Sequence, residues 1–413
     1  MIRKSTLKEI PVFLFSLYIV LSSYSIYMIV FPISSYIQMS LLGICAVIFL
    51  FYFSRNAVTL RVLLEPLIIL ALLLFTTLFN MTDFKTAFMC FIRFLMIYYA
   101  VAVMIMQGCD IMRALYRAIF CLMILFLVCY VVFDYIIPSA GLSVIYTKST
   151  DIDGTTKLHA YANHFNIYFR WATSNRIMGL LLPRCSGFCW EPGQYQIYLN
   201  YVLMYLLYFD KTNDKMKKFR VALTIVSIIT TTSTMGLFIM IILIVGAVLN
   251  FKSNIKFPMM VILSAIGIYL IFQLIAEKKM YSGESYGMRV SEFDLLGDIL
   301  FNNSIFGSNV RTRSMANGIL RFLWQYGYIA LAMIAVILIY IFRKNVFINT
   351  KRQKVFFTVW LVLALFNEPI EYMNFTFVIL SIVSLGNVLK NSSSYKSVAA
   401  VKKGGKLMEQ PSL

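Results

Sequence analysis

The residues best suited to chemistry fall in one segment, Arg184-Cys185-Ser186-Gly187-Phe188-Cys189-Trp190-Glu191-Pro192-Gly193-Gln194. It holds a guanidinium and a carboxylate close together in the chain. Pro192 suits the first turn of a helix, where its missing N–H costs nothing, and this puts Glu191 at the N-cap. Two roles are then open to Glu191. It can be a helix cap, held by the dipole, with Gln194 in position to complete a capping box. It can also be a carboxylate beside an arginine at a membrane surface, serving as substrate ligand or general base. An N-cap lowers the pKa of a carboxylate, which favours ligand over strong base.

Arginine usage points the same way. Arg170, Arg176 and Arg184 belong to one long polar stretch, about 138–192, and Arg289, Arg311 and Arg313 to a second, about 276–317. Arginine outnumbers lysine on this side of the chain, while lysine outnumbers arginine by about two to one on the other; the planar fork fits phosphate or carboxylate. An anionic substrate follows. Glu368 and Glu371 occupy a polar break in an apolar region, where helix-end capping and a functional role are equally open. Arg93 lies inside an apolar run, and either works there or pairs with Asp134 near the end of another run. Arg321 reads as a snorkelling side chain, and His159 and His164 as loop surface. Cys185 and Cys189 share a loop in which a disulfide is open. Neither the cysteine spacing nor the two histidines suggests zinc, and no cofactor is expected.

The elements that must position these residues are set by composition. Hydrophobic residues make up 60% of the 413-residue chain and charged residues 13%, with a mean hydropathy of +0.79. So little polar surface cannot cover a water-soluble domain, and lipid must be the solvent for much of the chain. The net charge of +19 reads as a positive-inside signal rather than as a nucleic-acid footprint. Apolar stretches fall near 11–31, 36–54, 62–79, 86–107, 118–137, 194–209, 221–232, 235–250, 257–275, 318–342, 355–366 and 375–389. This is the pattern of an all-α polytopic membrane protein with about 12 transmembrane helices, an uncleaved first span and one membrane-embedded domain. The two long stretches are its external loops, and the segment from about 390 to 413 is a flexible cytoplasmic tail.

Two regions break the regular pattern. Thr230-Thr231-Thr232-Ser233-Thr234-Met235-Gly236 interrupts 219–250, and Asn367-Glu368-Pro369-Ile370-Glu371-Tyr372-Met373-Asn374 interrupts 355–389. Reading the first region as two short spans puts about two thirds of the basic residues on one face, whereas one span divides them almost evenly. Both regions are therefore expected to be short hairpins. Their helices of roughly 12–16 residues rise only about 18–24 Å, so their polar tips should lie below the outer surface.

The segment Ser186-Gly187-Phe188-Cys189-Trp190-Glu191-Pro192-Gly193 resembles the Gly-Phe-aromatic-Glu-Pro-Gly signature of Wzy-type polysaccharide polymerases. Thr232-Ser233-Thr234-Met235-Gly236 is similar to that family's Ser-Thr-x-Gly hairpin. The stretch from Arg289 through Gly307 to Asn317 and Gly327 is similar to its second external loop and following span. The resemblance covers the topology of nearly the whole chain, but its motifs cover only a small part of it. It implies an enzyme that moves a growing glycan from undecaprenyl pyrophosphate onto the terminal sugar of an incoming lipid-linked repeat. Arg184, Arg176, Arg289, Arg311 and Arg313 would hold the pyrophosphate, and Glu191 would help activate the sugar hydroxyl. Ser233, Asn317 and Glu368 join them as substrate ligands. The implied partners are undecaprenyl-pyrophosphate-linked oligosaccharide, membrane lipid and a chain-length regulator, with no nucleic acid, nucleotide or metal. The implied location is the bacterial inner membrane, with both termini cytoplasmic. Related ligases carry a histidine before the final Asn, where this chain has Ala316, so polymerase is favoured over ligase. A lipid-linked oligosaccharide flippase is a further alternative, disfavoured by the two long loops.

Overall fold

Among the described residues, helices fill the apolar stretches, and several begin where a polar side chain can cap them. In the computed structural model they are α1 (Lys4–Leu21), α2 (Ile26–Val30), α3 (Phe84–Met106), α4 (Ile111–Val131), α5 (Pro192–Met204), α6 (Lys215–Thr230), α7 (Thr234–Val248), α8 (Lys256–Tyr281), α9 (Gly318–Phe342), α10 (Lys351–Asn367) and α11 (Asn374–Val388). A wider π-helical turn extends α4 to Ile136 and another extends α5 to Phe209. Asp110, Asp214, Ser233, Asn317 and Thr350 each accept a bond from a backbone N–H in the first turn they precede.

The structure describes residues 4–23, 25–30, 84–150, 156–171, 174–177, 180–212, 214–249, 256–281, 305–307, 317–343, 345–368 and 373–388, with a few isolated positions between them. The expected spans near 36–54 and 62–79, most of the second long loop, Glu371 and the tail lie outside the described residues. Among those described, three helical stretches are long and apolar enough to cross a bilayer: Phe88–Met106, Ile111–Ile136 and Gly318–Phe342. The last is kinked at Gly327.

Of the two expected hairpins, α6 turns into α7 at Thr231–Ser233, whereas the break between α10 and α11 falls mostly outside the described residues. These helices have 16, 15, 17 and 15 residues, so each rises only about 22–26 Å. Between the pairs stands α5. Its Tyr195, Ile197, Tyr198, Leu199, Tyr201, Val202, Leu203 and Met204 are all buried, the mark of a helix enclosed on every side. Tyr201 Oη donates to Met112 O of α4 at 3.1 Å, and Trp360 Nε1 of α10 donates to Ile197 O at 3.3 Å. The motif segment therefore leads into the most constrained helix of the described chain.

The stretch 138–192 was expected to be an aromatic loop, but it carries strands. β1 (Leu142–Thr150), β2 (Thr156–His164) and β3 (Tyr168–Trp171) form an antiparallel sheet, and β4 (Ser174–Ile177) pairs with β5 (Leu180–Pro183). Alternation explains the packing. Tyr161 and Phe169 are buried with Ile26 of α2, with Ile145 and Trp190 against them. The opposite face of β2 and β3 rests on the end of α4, where the His164 ring stacks on Phe133 at 4.9 Å. His164 is thus buried, not loop surface, with Nδ1 2.9 Å from Ala140 O. Arg93 is likewise corrected as the partner of Asp134. Asp134 pairs with Arg170 at 2.9 Å and accepts from Tyr168 Oη at 2.8 Å, because β3 delivers both groups to the end of α4. Arg93 instead lies over the Phe377 ring, 5.7 Å from its centroid, and donates to Cys90 Sγ.

Candidate active site at the head of α5

Three breaks in the helical chain converge on residues 185–193. Cys185 N donates to Thr230 O at the α6–α7 tip at 3.0 Å. Ile26 N donates to Phe188 O at 3.0 Å, and Ser25 bridges to Cys189, which joins the exit of α1 to the motif. Ser22 and Ser23 in turn hold the start of α11: Asn374 Nδ2 donates to Ser22 Oγ and Phe375 N to Ser23 Oγ, both at 2.8 Å. The end of α10 closes the set, with the Glu368 carboxylate against Gly193. The motif itself is tightly turned. Gly187 has φ +56° and the Tyr195 ring occupies the space a side chain would need, so glycine is required there.

Glu191 stands at the N-cap of α5 with extended backbone (φ −127°, ψ 143°) and Pro192 follows at the first helical position, as expected. Its side chain, however, makes no capping bond. Gln194 does not complete a capping box either: its backbone N–H bonds Glu191 O at 3.2 Å, and its buried Oε1 has no hydrogen-bond partner. Gln196 does the local work instead, donating from Nε2 to Gly193 O at 2.9 Å. Glu191 is half-buried at this helix end.

Glu368 is the second carboxylate at this helix end. It is buried, it ends α10, and its Oε1 accepts from Asn367 Nδ2 at 3.2 Å. The carboxyl end of α10 is an unfavourable place for a negative charge, whereas the amino end of α5, where the carboxylate lies, is favourable. Burial, followed by the charges of Cys185 and Glu368, pushes the Cys189 thiol well above the usual range. Burial pushes the Cys185 thiol up to about 12, partly offset by the Gly187 backbone N–H. Both cysteines are free thiols, so the disulfide left open by the sequence is not formed.

The other expected site residues divide. Arg184 is half-buried between β5 and Cys185, in the segment that meets the Thr230 tip. Arg176 lies on β4 opposite Leu181, and its side chain is outside the described residues, as are Arg289, Arg311 and Arg313. Ser233 is buried near this cluster and caps α7 by accepting from Gly236 N at 3.3 Å. Asn317 caps α9, accepting from Leu320 N at 3.0 Å, while its own N–H donates to the buried Glu292 at 3.2 Å. Both side-chain oxygens expected to bind substrate thus hold helix ends.

Sequence reading missed Gln196, Asn200, Ser23 and Asn374. Asn200 is fully buried, and its Nδ2 meets Gln196 O, Gln196 Oε1 and Gly236 O at 2.9–3.1 Å, which fastens α5 to α7. The available signal was the pair of polar side chains one helical turn apart, Gln196 and Asn200.

Basic residues gather at the other end of the helices. Arg117 pairs with Glu9, Arg220 lies near Asp210 and Asp214, and Arg352 Nη2 donates to Gly246 O at the end of α7. The arrangement can therefore present two carboxylates and an arginine at one end of a polar-lined helix, remote from the basic end. Comparisons with protein families, curated proteins and solved structures find no match to this chain.

Proposed function

We propose that this chain is a membrane glycosyltransferase that joins undecaprenyl-pyrophosphate-linked oligosaccharide repeats into a bacterial surface polysaccharide. In this reading the chain crosses the inner membrane about twelve times, with the head of α5 towards the outer face and both termini in the cytoplasm. The observation that carries it is that Glu191 stands at the N-cap position opening α5 while the Glu368 carboxylate lies against Gly193 in its first turn, with Arg184 on the segment leading into it.

Each group has a role. Arg184 holds the pyrophosphate of the donor, and Arg176, Arg289, Arg311 and Arg313 add to that field. Glu191, at the N-cap of α5, accepts the proton of the acceptor sugar hydroxyl as its oxygen attacks the anomeric carbon. The glycan leaves undecaprenyl pyrophosphate, which departs as the lipid-bound anion. Glu368 steers hydroxyls of the incoming repeat, and the buried Gln194 Oε1 offers a further acceptor. The basic helix ends away from Glu191 support the orientation, since Lys and Arg are retained on the cytoplasmic side.

Deletion of the gene in its own host tests this reading. The surface glycan should shrink to single repeats on its normal acceptor. Loss of every repeat, with polymer stranded on the lipid carrier, would indicate a ligase instead. Accumulation of unpolymerised repeats on the cytoplasmic side would indicate a flippase.

A further inference from the structure

The β1–β2–β3 sheet leaves one strand of one face bare. In an antiparallel pair, directly opposed residues share a face. Leu142 opposes His164 and Val144 opposes Ala162; on that face His164 is covered by Phe133, and Arg170 of β3 reaches Asp134. The end of α4 therefore covers β2 and β3 but stops short of β1. Leu142, Val144 and Tyr146 are left 50%, 53% and 65% exposed. On the other face of β1, Ile145 packs near Tyr161, while the exposed Ser143 accepts from Asn163 Nδ2 at 2.9 Å.

This stripe continues a surface already present on α4. Leu125, Val128 and Tyr135 are exposed at helical spacing along α4 and its last turn. Ile136 and Ile137, both exposed, then lead through Ser139–Gly141 to Leu142. The apolar helix Ile111–Ile136 has 26 residues, about 39 Å at 1.5 Å per residue against a hydrocarbon core of about 30 Å. Its end, with Tyr135 and the sheet, thus falls at a bilayer boundary, where Tyr is favoured. Among the described residues β1 is also an edge strand, and edge backbone groups could not be satisfied in the hydrocarbon itself.

We infer that the Leu142-Val144-Tyr146 stripe lies in the headgroup–acyl boundary of the leaflet entered by the end of α4, so that the sheet is a lipid-anchored apron. This rests on the reading that α4 crosses a bilayer. The consequence is positional. The face opposite the stripe packs Trp190 beside Tyr161 and Phe169, so lipid anchorage of β1 fixes the height of the neighbouring Glu191 above the membrane.

The test uses the full chain in phosphatidylcholine nanodiscs carrying Val144→Trp or Tyr146→Trp, with Val128→Trp on α4 as reference and the parent protein as background. The added emission at Val144 and Tyr146 should be quenched by brominated acyl chains, more strongly for bromine placed near the headgroup than deep in the core. Acrylamide should quench it several-fold less than it quenches the unfolded chain. Strong acrylamide quenching without bromolipid quenching at 144 and 146, while Val128→Trp responds to bromolipid, overturns the inference. So does protection from both quenchers, the signature of a protein partner or second copy. If Val128→Trp also ignores bromolipid, the membrane crossing of α4 fails, and the inference fails with it.

Discussion

The carboxylate of Glu368 lies on the backbone of Gly193, so close that a Cβ at position 193 would overlap Oε1. The contact joins the end of α10 to the head of the enclosed helix α5. It also brings a second carboxylate to the turn that Glu191 opens. Glycine at 193 is therefore the condition for having both acids at one helix end.

Gly193→Ala should force Glu368 aside at an overpacking cost of about 1–3 kcal/mol. It should sharply reduce product length in a polymerisation assay. Glu368→Ala removes the obstructing carboxylate, so the double variant should be closer in stability to Glu368→Ala alone than additivity allows. Unfolding midpoints of the four proteins in detergent check this, and strict additivity would refute the contact.

Ser23→Ala should destabilise the chain by about 1–3 kcal/mol, because the buried Phe375 N–H loses its acceptor. Ser23 Oγ also donates to Ile19 O at 2.6 Å, so the exit of α1 loosens with the start of α11. A lowered thermal midpoint is the expected measurement. An unchanged midpoint would show that these breaks are not held together as described.

Arg170→Ala leaves Asp134 without its cation, and the Asp134 side chain is 1% exposed against 24% for Arg170. Breaking a buried pair costs roughly 3–5 kcal/mol, and partial exposure of the arginine should place this loss at the low end. Limited proteolysis should cut within 138–192 sooner than in the parent. Replacing both partners by Asp134→Leu and Arg170→Met should restore much of the resistance.

The Cys185 thiol, raised to about 12 by burial, should react very slowly with iodoacetamide at neutral pH in the folded chain. Thiolate is the reactive form, and its fraction grows tenfold per pH unit while pH stays below the pKa. The rate at Cys185 should therefore still be rising at pH 10, whereas the unfolded chain levels off above its ordinary thiol pKa of about 8.5. Mass mapping of alkylated peptides reads this directly, and a plateau near pH 9 in the folded chain would contradict the burial.

The α6–α7 turn was legible because the polar run Thr230–Gly236 interrupts apolar sequence, and Pro192 marked the head of α5 on its own. The strands at 142–183 were not legible: Val144, Ile145 and Tyr146 are apolar in succession and show no alternation, in a chain that is 60% hydrophobic. Partner choice was also beyond reach. Asp134 looked free to meet Arg93 because only the fold of β3 brings Arg170 to it. Ser233 and Asn317 read as ligands, yet both oxygens are taken up by helix ends, a role that residue type permits equally well. The approach of Glu368 to Gly193 joins distant parts of the chain, and local sequence carries no trace of it.

Reconstitution of the purified chain with a lipid-linked repeat bears most directly on the central assignment. The parent should build a ladder of glycans on the lipid carrier without added nucleotide. Arg184→Ala and Glu191→Ala, folded as judged by an unchanged thermal midpoint, should leave only the starting repeat. Full ladders from both variants would contradict the site at the head of α5, and no ladder from the parent would contradict the polymerase itself.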